Sequence, residues 1–210
     1  GLFSVLVAAV FIPAQKNIKR LLAYHSVEHM GIIALGLGLG GLGTFAALFH
    51  TLNHSVSKML AFFSAGRLAQ QHGTYDMNII KGGITSNPLW GTAFFTAILA
   101  LIGVAPFSVF MSELQLVKAS IDLAKYLPLT IFLFGAIVVF VSALKHAIDV
   151  SFGARMHAAP AAQRWNARDA FVVVSCVCLL LACGIFLPRW YVDLLTNASN
   201  IIEGTGGIFR

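Results

Sequence analysis

Charge is scarce in this sequence. Eight acidic and 14 basic residues stand among 210, so only 10% of the chain is charged, against about a quarter in a soluble domain. With 58% hydrophobic residues and a mean hydropathy of +0.84, a water-exposed globular domain is excluded. The composition instead describes an all-α, polytopic transmembrane bundle, because only helices and closed barrels satisfy their backbone in lipid. Cysteine is nearly absent as well. Cys176, Cys178 and Cys183 all fall in one apolar run, which rules out a disulfide framework and leaves buried or lipid-facing thiols. Basic residues form no patch or arm. The formal net charge of +6 is scattered through short loops, so nucleic acid is not an expected partner, and the charges report orientation in the bilayer instead.

Apolar segments divide the chain into about six helices, with spans expected at residues 1–14, 21–40, 44–67, 89–110, 127–152 and 170–187. Residues 1–188 read as the transmembrane bundle. Residues 189–210 read as a non-cytoplasmic, interfacial tail with Trp190 and Tyr191 as headgroup anchors. The chain opens on Gly1, and its first apolar run is short and lacks a signal-peptide n-region. It reads as a piece of a longer chain that starts inside a helix. Lys16, Lys19, Arg20, Arg67, Lys81, Arg155, Arg164 and Arg168 collect on one side of the membrane, and Lys118, Lys125, Arg189 and Arg210 on the other. The first side is then the cytoplasm.

The third helix carries His50, His54 and Lys58 at i, i+4 and i+8, which aligns them along one helical face. A lysine near the bilayer centre costs about 2.5–3.5 kcal/mol on insertion scales, so it faces a bundle interior or a hydrated path. Two imidazoles in register with it point to a proton relay. In the second helix, Glu28 and His29 are titratable groups inside a span and join the same reading, while His25 lies nearer the cytoplasmic end and reads as interfacial. The set His25-x-x-Glu28-His29 also fits the inverted zinc-protease pattern. With Glu28 reserved as base, however, a third ligand is missing, and neither a metal nor any other cofactor is expected.

The fourth segment is interrupted by Gly103 and Pro106, with Glu113 seven residues past the proline. A broken helix at membrane depth is tolerated only where protein or water covers it, and an acid beside such a break is a transporter device. Glu113 is therefore expected to be the proton exit group on the non-cytoplasmic side, coupled electrostatically to Lys58. In the fifth helix Lys145, His146 and Asp149 share a half. Lys145 and His146 are further relay candidates, and Lys145 is spaced for an i,i+4 pair with Asp149. Gly36-x-Gly38-x-x-Gly41 matches a dinucleotide fingerprint only formally. No strand precedes it, and close helix packing through small residues explains it better.

These residues also carry a resemblance. The stretch from Ile18 through Lys19, Arg20, Tyr24, His25, Glu28 and His29 to Gly31 resembles the "KR-x-LAYSS" helix start of antiporter-like subunits of respiratory complex I, Mrp antiporters and membrane-bound hydrogenases. The wording Ser26-Val-Glu28-His29-Met-Gly31 is most similar to the hydrogenase-4 component F branch. Phe49-His-x3-His-x3-Lys58 looks like that family's conducting helix, and the break ending at Glu113 looks like its terminal broken helix. His25 stands where Ser is usual, and Tyr75-Asp76 where Arg-Asp is usual. The match covers residues 15–120. It implies the C-terminal half of an antiporter-like fold in a proton-translocating subunit, with other membrane subunits, the lipid bilayer and protons as partners. Redox chemistry would lie on other subunits. A Mrp-type Na⁺/H⁺ antiporter subunit and, further off, an intramembrane zinc protease remain as alternatives.

The loop charges make one direct prediction. In oriented vesicles, a cysteine introduced at Ala161 reacts with a membrane-impermeant reagent from the cytoplasmic face and one at Ala124 from the opposite face. Reversed labelling inverts the topology.

Overall fold

The computed structural model describes residues 1–154 and 165–204. Most of the basic loop, including Arg155, Ala161 and Arg164, and the end of the tail with Arg210 lie outside the described residues. The described residues form nine helices: α1 (Leu2–Phe11), α2 (Ile18–Leu39), α3 (Leu42–His72), α4 (Gly83–Ser86), α5 (Pro88–Leu101), α6 (Ser108–Asp122), α7 (Tyr126–Phe152), α8 (Ala167–Ile185) and α9 (Arg189–Ile202). α7 and α8 are long and apolar enough to cross a membrane by composition alone. α2 and α3 have the length but dilute their hydropathy with buried polar side chains.

Local chemistry sets the helix ends. Asn17 caps α2 by accepting from the Lys19 and Arg20 amides at 3.0 and 3.2 Å, and this starts the helix three residues earlier than the apolar pattern suggests. Pro88 opens α5, where a missing N–H is harmless. Asn166 and Asp169 form a reciprocal capping box on α8. Asp169 also binds Arg67 at 2.8 Å, fastening the end of α3 to the start of α8. The loop after α3 returns to the start of α2, where the Ile18 and Met77 amides donate to the Tyr75 and Lys16 carbonyls at 3.0 and 2.8 Å. The Tyr75 ring covers the Lys19 ammonium at 3.9 Å, so a cation–π contact holds the corner where the family usually has an Arg-Asp pair. Asp76 turns to Asn78 instead.

α3 is the central helix. It packs on α2, α5, α6, α8 and α9, while α1 sits between α2 and α7. Gly36 and Gly43 press together across the α2–α3 turn, each leaving no room for a Cβ against the other's backbone. Of the glycine pattern, Gly36 is thus a packing device, while Gly38 and Gly41 meet open space. The tail is the largest addition to the sequence reading, because it forms the 14-residue helix α9, returned along α3. Tyr191 meets Phe49 edge-on at 6.2 Å, and the Glu203 carboxylate accepts from the Gly41 amide at 2.5 Å.

The predicted break lies between α5 and α6. Residues 102–107 leave the helix, Gly103 adopts φ +69°, and the Ala105–Pro106 bond is cis. Protein covers the break on two sides. Asn53 of α3 donates to the Ser108 carbonyl at 3.1 Å, and Gly184 brings the α8 backbone directly onto Pro106, Phe107 and Ser108. A Cβ at Gly184 collides with three backbone atoms that cannot turn aside. Gly184→Val is therefore expected to destabilise the subunit by about 1–3 kcal/mol or more, read as a lowered unfolding midpoint in detergent. Gly38→Ala, which meets open space, is the neutral control. Equal midpoints for the two variants argue against this packing.

Candidate functional site

Three helices deliver one set of polar side chains, all buried but Glu113, which is partly exposed. α2 contributes His25, Glu28 and His29, α3 contributes Asn53, His50, His54 and Lys58, and α6 contributes Ser112 and Glu113. His25, His29 and His50 are no more than 1% exposed, and Glu28, His54 and Lys58 no more than 7%.

The periodicity of α3 puts His50, His54 and Lys58 on one face, as read from the sequence. The neighbour they meet there was not visible in the sequence. His29 of α2 reaches across to both histidines. Its Nδ1 lies 2.8 Å from His50 Nε2, and its ring meets His54 at a tilt of 39° with 4.4 Å between centroids. On the far side, His50 Nδ1 lies 2.9 Å from Ser112 Oγ.

One direction of hydrogen bonding satisfies these contacts together. Ser112 donates its proton to the Val109 carbonyl at 2.7 Å, which only accepts. The Ser112 oxygen therefore accepts from His50 Nδ1–H. A neutral His50 then presents its lone pair at Nε2, which accepts from His29 Nδ1–H. His29 in turn carries its own lone pair at Nε2, and that buried atom has no hydrogen-bond partner. The row is polarised from α2 toward α6 and ends in an open acceptor.

Glu113 enters the same row. One ligand atom each of His29, His50 and Glu113 lies within 4.8 Å of the others. Its carboxylate also folds back against Gly103, which has no room for a side chain there. Glu113 thus touches the break itself, whereas helical spacing from Pro106 placed it two turns beyond. It lines a cleft of about 280 Å³ with Phe110, Phe132 and Phe140.

Lys58 sits at the other end of the row. Its ammonium donates to the Leu22 carbonyl of α2 at 2.5 Å. Among the described residues no ion pair joins Lys58 to Glu113, and the histidines lie between them. The expected coupling of these two groups is therefore not a direct contact.

The remaining candidates separate. His25 is fully buried, not interfacial, with Nδ1 3.3 Å from a Glu28 oxygen. His146 of α7 contacts the Ile12 carbonyl at 3.2 Å. It comes close enough to act on His25 electrostatically, but no hydrogen bond joins it to the row. Lys145 is exposed and, among the described residues, forms no ion pair with Asp149. The i,i+4 spacing is present, but Lys-before-Asp is the weaker order and both side chains are free to point outward. Ser112 and Asn53 are the functional residues that sequence reasoning missed, since a serine early in a helix or an asparagine between histidines carries no signal of its own.

Comparison with known proteins gives a consistent set. Residues 1–142 match the family described as NADH:quinone oxidoreductase/Mrp antiporter, TM. The chain is 32% identical over 205 residues to a hydrogenase-4 component F homolog of Methylacidiphilum infernorum, covering 97% of this chain and 42% of that protein. It is 27% identical to formate hydrogenlyase subunit 3 of Escherichia coli, over 94% of this chain and 36% of that one. Among solved structures, a chain of the archaeal membrane-bound sulfane sulfur reductase superposes with a TM-score of 0.85 at 26% identity, over 97% of this chain and 42% of that one. A chain of the Mrp complex from Dietzia shares the fold with a TM-score of 0.84 at 20% identity, over 97% and 47% respectively. The chain spans less than half the length of the relatives it matches.

Proposed function

Because the chain belongs to the NADH:quinone oxidoreductase/Mrp antiporter transmembrane family, we propose that it conducts protons in a membrane subunit of a hydrogenase-4 or complex I-type assembly of a bacterial cytoplasmic membrane. In that assembly the redox chemistry is done by partner subunits. The observation that carries this reading is the 2.8 Å bond from His29 to His50, which joins helices α2 and α3 inside a row running from Lys58 to Glu113.

The chemistry follows from the bond directions. A proton arriving on His29 Nε2 makes that ring an imidazolium. Its Nδ1 proton then passes to His50 Nε2, and the charge advances one helix toward α6. His50, protonated on both nitrogens, stands beside Glu113, whose carboxylate can accept the charge and release it toward the cleft. Rotation of the rings, or a proton returning along the same bonds, resets the row. Lys58 is suited to load His54, one turn away on the same face of α3, and the His54 ring meets that of His29 at 4.4 Å between centroids. His146 and Lys145 stand outside the row, and their use would require water between them and His25.

A Mrp-type cation/proton antiporter subunit is the second reading, favoured by the superposition on the Dietzia Mrp chain. Na⁺ dependence of transport in sealed vesicles separates the two.

Two substitutions test the ends of the row in the assembled complex. Lys58→Ala is expected to cut proton translocation by about 10²-fold or more with assembly intact. Lys58→Arg fails similarly, because guanidinium does not deprotonate. Normal pumping by the Arg variant means that only a fixed charge is needed. Glu113→Gln preserves size but removes the transferable proton. It is expected to abolish vesicle acidification while leaving the detergent-measured redox reaction in place, and Glu113→Lys keeps part of the activity. Wild-type transport by Glu113→Gln removes Glu113 from the path.

A further inference from the structure

The row accounts for His29, His50, His54 and Glu113 but gives no work to His25. That residue is 0% exposed, and neither of its ring nitrogens makes a hydrogen bond. A buried imidazole with both nitrogens unbonded is costly unless something is meant to occupy the space beside it. Glu28 and His29 converge on the same space. One ligand atom from each of His25, Glu28 and His29 lies within 4.8 Å of the other two.

We propose that His25, Glu28 and His29 form a binding site for a divalent transition metal, with zinc the best fit, and that the bound ion holds the proton row closed. Three features of the geometry converge on this assignment. Around zinc, with bonds of about 2.0–2.1 Å, tetrahedral neighbours stand about 3.3 Å apart, and His25 Nδ1 stands 3.3 Å from Glu28 Oε2. The two atoms face each other without forming a hydrogen bond, which leaves both free to bind one ion. The second feature is the tautomer of His29. The Ser112-to-His50 direction leaves Nε2 of His29 unprotonated and unpartnered, which is the form of imidazole a metal needs. Its Nδ1–H is meanwhile held by His50, the kind of outer contact that orients a ligating histidine. The third is the donor set. Two histidines and a carboxylate are a recurring zinc triad that leaves a fourth position for water. Reserving Glu28 as a base hides this set in the sequence. On the helix, however, i, i+3 and i+4 share a face, and Glu28 counts as the third ligand.

The consequence for transport rests on the proton reading above, but the binding does not. The lone pair at His29 Nε2 serves either an incoming proton or the metal, not both. Lys58 acts electrostatically on His25 and Glu28, so a charged Lys58 and a divalent ion in this site also repel one another.

The test uses the complete complex, stripped with chelator and dialysed against Zn²⁺ or Co²⁺ alone. Wild-type complex is expected to retain about one more zinc per copy of this subunit than His25→Ser complex, and serine is the residue usual at this position in the family. The Co²⁺ form should show the visible bands of a tetrahedral N/O site. Affinity falls about tenfold or more in His25→Ser and in Glu28→Gln, and His25→Cys restores binding with the Co²⁺ spectrum shifted by a thiolate ligand. Equal zinc content in wild type and His25→Ser overturns the site. In vesicles, Zn²⁺ is expected to slow proton uptake by wild type at concentrations that leave His25→Ser unaffected. Binding that is lost in His25→Ser without any effect on proton uptake keeps the metal site and removes His29 from the proton path.

Discussion

The single proton of Ser112 orders the site. With it given to a backbone carbonyl, His50 donates to Ser112 and accepts from His29. Two histidines on two helices thereby take their tautomers from one local bond inside the first turns of α6. A buried imidazole row without such an anchor would be degenerate, with each ring free to point either way, and would carry charge in neither direction preferentially. Here the rest state is polarised, and its open end lies on α2. The same polarisation makes His29 available both to a proton and to a metal ion.

The break between α5 and α6 gives Glu113 its position. A continuous helix would keep an acid at this point on its own face, a turn or more from the histidines. Gly103 at φ +69° turns the chain, α6 restarts at Ser108, and the missing side chain at Gly103 leaves room for the carboxylate to fold back. Asn53 and Gly184 are what make the break tolerable, one by bonding a carbonyl and the other by letting α8 close over the chain. Neither residue carries a titratable group, yet the position of Glu113 depends on them. The break is thus held by α3, the same helix that carries His50, His54 and Lys58.

The sequence made the class, the spans, the relay face of α3 and the break legible, because each is a property of one segment. Helical period aligns His50, His54 and Lys58 whatever surrounds them, and Gly103 and Pro106 interrupt a helix on their own. The parts that stayed hidden involve two segments at once. His25 looks interfacial by its distance from a helix end, but the packed bundle buries it completely. Ser112 gains meaning only when α6 lies beside His50. The tail, read as interfacial from Trp190 and Tyr191, folds as α9 and bonds the start of α3 through Glu203, a contact that only the fold brings about. Lys145 and Asp149 had the right spacing and still did not pair, since spacing permits a contact and only surroundings require it.

Lys58 shows why the kind of partner matters as much as its presence. A buried lysine paired with a carboxylate is fixed in its charged state, because losing the proton would leave the acid uncompensated. Lys58 is held by the Leu22 carbonyl instead. A carbonyl accepts an N–H from an ammonium or from a neutral amine, so the bond positions the side chain in either protonation state. The acid nearest in the electrostatic sense, Glu28, is itself engaged with His25. Lys58 is therefore anchored in space while its charge is left free to respond to Glu28, to the histidine row and to any ion between them. That separation of position from charge is what a group must have if it is to hand a proton on and remain in place to receive the next.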